Sequence, residues 1–263
     1  MGGELVILII TVLALGCGGE LTVKLPGGVS MEFVYIEPGS FMMGSDESEM
    51  GQMDERERPQ HEVEISRGFY LGKYEITQGQ WYAVMETRPW KAKRYVREGA
   101  DHPAVYISWM EVQKFIQRLN RVEGERVYRL ATEAEWEYAC RAGTRTLWSC
   151  GDDEMQLRDY AWISDNSWMV GEQYAHAVGG KLPNPWGLYD MHGNVWEWVW
   201  DREGVYGRER QIDPKGPDQG ALRVARSGSF GHLALGARSA SRFFGKPDSQ
   251  RSDLGARLVR QIP

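Results

Sequence analysis

A long stretch without regular hydrophobic periodicity most constrains how this chain can fold. Residues 143–226 are rich in Gly, Asp, Asn, Pro and Trp and contain few long apolar runs. Loops of this length inside a compact domain are usually functional or held by an ion. The chain also carries 11 Trp, and large aromatic side chains can fill a core that has little regular structure. We therefore expect a loop-rich domain stabilised by aromatic packing.

The composition argues against disorder and against nucleic-acid binding. The chain is 42% hydrophobic and 26% charged, which is ordinary for a globular protein. No Pro/Gly/Ser-rich linker divides it, so one domain is the simpler interpretation. Its net charge is −6 and no dense Lys/Arg stripe is visible, so the electrostatic footprint of phosphate recognition is missing. We expect no nucleic-acid partner.

The N-terminal residues differ in character from the rest of the chain. Residues 5–15 form an almost uninterrupted apolar run, too short to span a bilayer and typical of an export signal. The run leads to Cys17 and resembles a bacterial lipoprotein signal, in which cleavage before the cysteine exposes its thiol for lipidation. Glu4 stands where Lys or Arg is usual, so a plain secretion signal and an unprocessed N-terminus remain alternatives. The lipoprotein interpretation predicts a signal at 1–17, a tether at 18–30, and an exported protein anchored in the membrane at a bacterial cell surface.

Short strands are predicted on the N-terminal side of the loop-rich stretch. Residues 31–45 alternate apolar and small or polar side chains around a turn at residues 37–39, which is typical of a β-hairpin. Residues 61–74 predict another pair of short strands. The polar and charged residues 46–58 between them predict a surface loop.

Three helices are predicted from capping boxes, in which a hydroxyl residue and a Glu or Gln three places on satisfy each other's backbone N–H groups. The pairs are Thr77 with Gln80, Ser108 with Glu111, and Thr132 with Glu135. The second helix has a stripe of apolar side chains at helical spacing, which predicts that it faces the core. The stripe consists of Trp109, Val112, Phe115, Ile116 and Leu119. The third helix carries Trp136 and Cys140 on one face and is predicted to end near Gly143.

Two cysteines, Cys140 and Cys150, remain if Cys17 carries lipid. An exported protein meets an oxidising compartment, so the two could form a disulfide. Their spacing equally allows two separate thiols. No His or further Cys lies nearby at ligand spacing, so a metal site on these cysteines is not expected.

Seven segments, in order, resemble the formylglycine-generating-enzyme family, also called the sulfatase-modifying-factor family. They are FVYIEPGSFMMGS (33–45), FYLGKYEITQGQW (69–81), HPAVYISWMEVQKF (102–115), YRLATEAEWEYACRAGT (128–144), NPWGLYDMHGNVWEW (184–198), RSGSF (226–230) and LGARLVR (254–260). The resemblance implies one domain at 31–263 with an α+β, C-type lectin-like fold of the formylglycine-generating-enzyme type, loop-rich and low in regular secondary structure.

The family's oxidases bind copper through two cysteines that follow the counterpart of RSGSF, and they convert a protein cysteine to formylglycine. In this sequence the two positions hold His232 and Ala237, and no cysteine follows Cys150. Copper(I) is a soft ion that prefers thiolate ligands. We therefore expect neither copper nor enzymatic activity. The rival hypotheses are a copper-dependent formylglycine-generating-type oxidoreductase that acts on protein cysteine, an oxidase or oxygenase built on another constellation, and a plain accessory structural domain.

The segment GLYDMHGNVWEW resembles the family's structural calcium site. The resemblance implies oxygen ligands from the side chains of Asp190 and Glu197 and from the backbone carbonyls of Gly193 and Val195. Hard oxygen ligands from one short loop suit calcium, which tolerates irregular geometry. The alternative is that Asp190 and Glu197 only cap turns.

The segment between RSGSF and LGARLVR departs from the family pattern, which is dense in Asn there. The departure resembles the variable proteins of diversity-generating retroelements, where mutation of template adenines replaces Asn codons in a C-terminal segment on the ligand-binding face. The resemblance implies that residues 226–260 are a variable segment of a ligand-binding protein. The candidate contact residues are Phe230, Gly231, His232, Leu233, Leu235, Gly236, Ser241, Phe243, Phe244, Gly245, Lys246 and Ser249.

Within this segment, the adjacent residues Phe243 and Phe244 are the strongest candidates for a binding surface. If exposed near His232 and Leu233, they form a small apolar patch with polar edges, as binding surfaces do. The alternative is that both phenylalanines belong to the core. We expect the ligand to be a protein or a glycan on another surface.

Overall fold

The computed structural model describes residues 11–16, 19–46 and 55–262. Cys17, the predicted lipidation site, lies outside these ranges, as does most of the predicted surface loop. Among the residues described, no helix has the length and apolar character needed to cross a membrane.

Short strands and a few helices follow one another along the described chain. The strands are β1 (Thr11–Gly16), β2 (Glu20–Lys24), β3 (Ser30–Ile36), β4 (Gly39–Met43), β5 (His61–Ile65), β6 (Phe69–Gly72), β7 (Tyr128–Leu130), β8 (Trp196–Arg202), β9 (Gln211–Ile212), β10 (Arg223–Arg226), β11 (Phe243–Gly245), β12 (Leu254–Ala256) and β13 (Leu258–Arg260). The helices are α1 (Gln78–Met85), α2 (Trp109–Glu123), α3 (Glu133–Arg141) and α4 (Glu154–Leu157). Residues 142–195 contain only α4 and short 3-10 turns, as their lack of periodicity predicts.

The strands form three sheets. The first has the order β1-β2-β3-β6-β13-β7, the second β11-β10-β8-β12, and the third β4-β5-β9. Neighbouring strands are antiparallel except for β12 with β8 and β5 with β9, which are parallel. Mostly antiparallel sheets with separate helices define an α+β architecture, so the predicted fold class is confirmed.

The hairpin predicted at residues 31–45 is wrong in its pairing. Strands β3 and β4 both form, but β3 pairs with β2 and β6, whereas β4 pairs with β5. The turn at residues 37–39 therefore carries the chain from one sheet to another instead of reversing it. Local alternation predicts strands without identifying their partners, and here the decisive partners lie at residues 61–72.

The segment predicted as a tether, residues 18–30, belongs in large part to the domain. It contains β2, which pairs along its length with β3. Leu21, Val23 and Leu25 are buried in the main core, so their burial helps to stabilise the domain. Residues 20–30 are therefore part of the folded domain rather than a tether to it.

The outermost strand of the six-stranded sheet, β1, lies within the predicted signal segment. Among the described residues, its backbone pairs with β2 alone, in an antiparallel register that begins at Thr11 and Lys24. Because β1 is an edge strand, its removal by processing before Cys17 would leave the other five strands paired.

All three predicted capping boxes are present. The side chains of Thr77, Ser108 and Thr132 each accept from the backbone N–H three residues on, and the reciprocal bonds are also made. The predicted stripe of α2 faces the core, with Trp109 half-buried and the other four residues buried. Helix α3 ends at Arg141, and Ala142 rather than Gly143 forms its left-handed C-cap.

Aromatic side chains fill the core where regular structure is sparse. Trp81 stacks on Phe115 with ring centroids 5.2 Å apart. Trp136, Trp148 and Trp198 are each 1% exposed. The aromatic packing predicted from the tryptophan content is therefore confirmed.

A fully buried arginine ties the C-terminal segment to helix α3. The Arg226 guanidinium donates to Glu137 at 2.6 Å and to Glu133 at 3.0 Å. It also donates to the backbone carbonyls of Ser239 and Ala240, at 2.7 and 3.1 Å. One side chain thus joins the β10 strand, the α3 helix and the backbone of the predicted variable segment.

Two more buried arginines hold the same segment. Arg238 pairs with Glu57 at 2.9 Å, and Arg242 pairs with Glu133 at 2.7 Å. Glu57 is 2% exposed, so the surface-loop prediction for residues 46–58 is wrong at this position. A buried carboxylate needs a partner of opposite charge, and that partner lies far along the chain.

Candidate functional site

A cleft of about 520 Å³ opens beside the C-terminal segment. Its apolar lining consists of Tyr95, Tyr106, Trp168 and Phe230. The Trp168 ring centroid lies 5.0 Å from that of Tyr95 and 6.1 Å from that of Phe230. Phe230 is 1% exposed and forms the floor, whereas Tyr95 is 37% exposed and forms a wall.

Two of the aromatic residues that line the cleft have an unusual backbone conformation. Tyr95 and Tyr106 have φ angles of 57° and 55°, in the left-handed region that costs a non-glycine residue about 1 kcal/mol or more. Tertiary bonds hold Tyr106 there: its N–H donates to the Arg251 carbonyl at 2.8 Å, and its hydroxyl donates to the Arg94 carbonyl at 3.2 Å. Strain maintained in this way is typical of functional surfaces.

The polar lining of the cleft is organised around Asp253. The Arg251 guanidinium donates to both carboxylate oxygens at 2.8 Å. The Ser229 hydroxyl donates to Asp253 Oδ2 at 3.3 Å and shares a hydrogen bond of 2.7 Å with His232 Nδ1. Burial lowers the pKa of His232, so its ring is neutral near pH 7. The cleft therefore presents a carboxylate and a neutral imidazole that are both fixed by neighbours.

The predicted contact residues divide into exposed, half-buried and buried groups. Gly231, Leu233, Leu235 and Lys246 are exposed. The half-buried residues are His232, Gly236, Phe243, Phe244 and Ser249. The buried residues are Phe230, Ser241 and Gly245. Of all twelve, the cleft is lined by Phe230, Gly231 and His232.

Ser241 and Gly245 are corrections to the predicted contact set, because both serve packing. The Ser241 hydroxyl donates to the Leu235 carbonyl at 3.0 Å. A Cβ at Gly245 would approach the Trp198 ring to 2.7 Å, so the absence of a side chain allows strand β11 to pack against that ring.

The combined patch of Phe243 and Phe244 is also wrong, because adjacent strand residues point to opposite faces. Phe243 packs 5.4 Å from the Trp196 ring and lies beneath Arg251. Phe244 lies instead beneath Arg56, 4.4 Å from its guanidinium carbon. Phe243 therefore supports the cleft from below, and Phe244 faces another part of the molecule.

The structure uses Glu197, one of the predicted calcium ligands, in an ion pair. Its Oε1 accepts from Arg257 Nη2 at 2.8 Å, and its Oε2 accepts from Trp136 Nε1 at 2.7 Å. Arg257 is 1% exposed and supplies the positive charge that calcium would bring. Both carboxylate oxygens of Glu197 thus have partners within the protein, and its ligation of calcium stays a prediction.

Among the other predicted calcium ligands, Asp190 is the second carboxyl group, and it interacts electrostatically with Glu197. Asp190 Oδ2 accepts from the Gly179 N–H at 2.8 Å, and burial raises the pKa of this carboxyl to about 6. The Gly193 carbonyl accepts from the Ser227 hydroxyl at 2.9 Å. Across the described residues, no group of three or more His, Cys, Asp or Glu side chains is placed to hold a metal ion. Calcium at Asp190, Gly193, Val195 and Glu197 stays a prediction.

The two positions that correspond to the family's copper ligands lie at different depths. His232 lines the cleft, whereas Ala237 is fully buried, and its carbonyl bonds with His192 Nδ1 at 2.9 Å. Cys140 and Cys150 are free thiols in the structure rather than a disulfide. Burial raises the pKa of Cys140 to about 12 and that of Cys150 to about 11, which disfavours the reactive thiolate form.

A second cavity, of about 670 Å³, lies beneath the loop that follows β8. Its charged lining is satisfied internally: Glu133 accepts from Arg226, Arg242 and the Tyr206 hydroxyl. Asp201 accepts from the Glu133 N–H at 2.7 Å, and burial raises its pKa to about 8. This cavity includes no predicted contact residue, so the cleft beside the C-terminal segment is the better candidate.

The fold and the cleft define a lectin-like α+β domain with an aromatic cleft beside its C-terminal segment. The sulfatase-modifying factor enzyme 1-like domain model matches residues 24–262. The chain therefore belongs to the formylglycine-generating-enzyme, or sulfatase-modifying-factor, family.

The relatives include formylglycine-generating enzymes and a protein kinase. The formylglycine-generating enzyme of Bos taurus is 27% identical, over 90% of this chain and 77% of the enzyme. The serine/threonine-protein kinase pkn1 of Chlamydia pneumoniae is 30% identical over 90% of this chain. The matched region of that kinase is 39% of its length.

Two solved structures share the fold closely. Treponema denticola variable protein 1 has a TM-score of 0.81 and 27% identity, over 92% of this chain and 99% of that protein. PvdO from Pseudomonas aeruginosa has a TM-score of 0.77 and 28% identity, over 88% of this chain and 94% of that protein. These similarities confirm the predicted fold of the formylglycine-generating-enzyme type and its likeness to a variable protein.

Proposed function

We propose that this protein is a non-enzymatic binding protein that recognises a protein or glycan in the cleft beside its C-terminal segment. The observation that carries the proposal is the contrast within that segment. Its backbone is fixed by Arg226, Arg238 and Arg242, while its side chains at Leu233 and Leu235 are 56% and 38% exposed. A rigid scaffold that presents adaptable side chains is what a recognition surface needs. The likeness to a variable protein supports this proposal.

The replacement of both copper-ligand cysteines supports a non-enzymatic role. Without thiolates at positions 232 and 237, the segment lacks the soft ligands that copper(I) prefers. The formylglycine-generating relatives are enzymes by name, so oxidation of a protein cysteine is the rival function. Formylglycine, detected by mass spectrometry after incubation with copper, oxygen and a cysteine-bearing peptide, would support the rival and contradict the proposal.

Changing exposed residues of the segment in and beside the cleft is expected to abolish ligand binding without unfolding the protein. The test variant carries Gly231→Asn, Leu233→Asn and Gln250→Ala, all at exposed positions. Gly231 and Gln250 line the cleft, and Leu233 follows the cleft residue His232. Surface changes of this kind usually alter stability by no more than about 0.5 kcal/mol each. Binding is measured against an array of surface proteins and glycans, and the melting temperature is measured alongside.

The matched control changes three exposed apolar residues elsewhere: Leu182→Asn, Val205→Asn and Ile212→Asn. This control should retain binding. Full retention of binding by the segment variant, or equal loss in both variants, would contradict the proposed site.

We also propose that Cys17 anchors the protein to a membrane through a lipid, as the lipoprotein interpretation implies. One lipid chain gives only marginal membrane binding, so stable anchoring needs two chains or a second signal. We expect Cys17→Ser to abolish labelling by a fatty-acid probe and to release the protein from the detergent phase. Labelling of the Cys17→Ser variant, or its absence in the unaltered protein, would contradict the anchor.

A further inference from the structure

We infer that the cleft takes an acidic saccharide, with a sugar ring on the aromatic wall and its carboxylate against a basic rim. This inference rests on the proposed function and narrows its ligand to one chemical class.

The basic rim is the segment of residues 91–97, whose sequence is KAKRYVR. It contains four cationic side chains in seven positions, all of them exposed: Lys91, Lys93, Arg94 and Arg97. The same segment supplies Tyr95, which lines the cleft. Although the chain as a whole has a net charge of −6, this edge of the cleft is positively charged.

The cations of the rim lie against the aromatic rings of the cleft. The Arg94 guanidinium carbon is 5.1 Å from the Tyr95 ring centroid, and Lys93 Nζ is 5.6 Å from that of Tyr106. Both cations lie within cation–π range of rings that line the cleft. A carboxylate bound beside these rings can therefore form charge-assisted hydrogen bonds, which are about twice as strong as neutral ones.

The interior of the cleft favours a ligand that also donates hydrogen bonds. Asp253 is 8% exposed and accepts from Arg251, and its carboxylate has further acceptor capacity. His232 adds a neutral ring at the same place. A sugar ring offers several hydroxyl donors to groups of this kind, whereas an acidic peptide offers only its backbone N–H groups, since its carboxylates accept and do not donate. This difference favours an acidic saccharide over an acidic peptide.

The aromatic wall suits one face of a sugar ring. The C–H groups of a pyranose ring pack on the flat faces of Trp and Tyr, which combine an apolar body with a polar tip. The Trp168 and Tyr95 rings are tilted by 47° to each other and so form an angled wall. The cleft volume of about 520 Å³ lies within the range of small-molecule sites.

Binding of two carboxylated probes, trigalacturonate and 3′-sialyllactose, tests the inference by calorimetry. Their neutral counterparts are the carboxyl-reduced trisaccharide and lactose, and hexaglutamate is the acidic-peptide probe. We expect at least one carboxylated saccharide to bind at least about tenfold more tightly than its neutral counterpart. A tenfold difference in affinity is the effect of one charge-assisted hydrogen bond. Its affinity should fall with added salt.

A pair of charge reversals locates the effect on the rim. The double variant Lys93→Glu, Arg94→Glu should bind the carboxylated probe at least about tenfold more weakly, and its affinity for the neutral counterpart should be unchanged. Arg67→Glu, also at an exposed position, makes the same kind of change away from the cleft and should alter neither. Thermal unfolding checks that each variant folds.

Three outcomes would overturn the inference: no binding of either carboxylated probe, equal binding of the neutral counterparts, or binding of hexaglutamate alone. The proposed function fails separately. If a ligand from the wider array binds, loses affinity in the variant altered at Gly231, Leu233 and Gln250, and carries no carboxylate, the binding site stands and only the ligand class is wrong.

Discussion

Glu137→Gln is expected to lower the free energy of unfolding by about 3–5 kcal/mol, the usual cost of breaking a buried ion pair from one side. Glu137 is fully buried and pairs with Arg226 at 2.6 Å and with Arg141 at 2.9 Å. Its carboxylate also accepts from the Gly44 N–H at 2.9 Å. Glutamine keeps the shape and removes the charge, so two buried guanidinium groups lose a counter-ion. Chemical denaturation measures the change.

The effect of this substitution should depend on pH with a definite sign. Burial raises the pKa of Glu137, but the positive charges of Arg141 and Arg226 lower it by a larger amount, so the net shift of the pKa is downward. A carboxyl whose pKa is lowered by folding stabilises the protein above its unfolded pKa of about 4.3. That stabilisation is lost as the pH falls through the lower folded value. The difference between the unaltered protein and Glu137→Gln should therefore narrow in acid.

Glu62→Gln is the matched control, because Glu62 pairs with Arg210 at 3.5 Å on the surface, where both side chains are about half exposed. Surface pairs contribute about 0–1 kcal/mol. If Glu137→Gln and Glu62→Gln lower the free energy of unfolding by the same amount, the buried arginines do not hold the C-terminal segment as described.

Trp168→Ala is expected to weaken ligand binding by about 2 kcal/mol or more, roughly 30-fold. Trp168 lies between Tyr95 and Phe230 in the cleft, and a large aromatic side chain at the centre of a site is the usual binding hot spot. The affinity for the tightest ligand of the protein and glycan array is the quantity to measure.

Two further variants control this prediction. Trp200→Ala removes a tryptophan that is 41% exposed and lies outside the cleft, so binding should persist. Tyr95→Ala removes a more exposed wall residue and remains informative if Trp168→Ala fails to fold. Unchanged affinity in both cleft variants would show that recognition occurs elsewhere.

Local signals in the sequence predict the helices and the fold class well. Capping boxes act within four residues, so Thr77, Ser108 and Thr132 mark helix starts without knowledge of the rest of the molecule. Strand pairing, in contrast, is not determined by residues that are close together in the sequence. The alternation of residues 31–45 predicts two strands, but long-range contacts decide that β3 and β4 enter different sheets.

The candidate site was only partly predictable, because most of its wall comes from other segments. Phe230, Gly231 and His232 follow from the family resemblance, whereas Tyr95, Tyr106 and Trp168 meet them only in three dimensions. A local signal did exist, since the run KAKRYVR places an aromatic residue among cations. The sequence alone does not show that this run lies beside Phe230 in the fold.

The buried polar residues show the same limit. Glu57 reads as part of a polar surface loop and Glu197 as a calcium ligand, yet each pairs with an arginine, Arg238 or Arg257, that lies at least sixty residues away in the chain. Sequence identifies the charges. Only the fold determines which opposite charge compensates each of them.

Hydrogen exchange of the protein with and without its tightest array ligand is the most direct measurement of where recognition takes place. Slower exchange on ligand binding is expected at residues 93–106, around residue 168 and at residues 229–253, with little change in strands β4, β5 and β9, which do not line the cleft. Protection confined to other segments, with these three unchanged, would contradict the account.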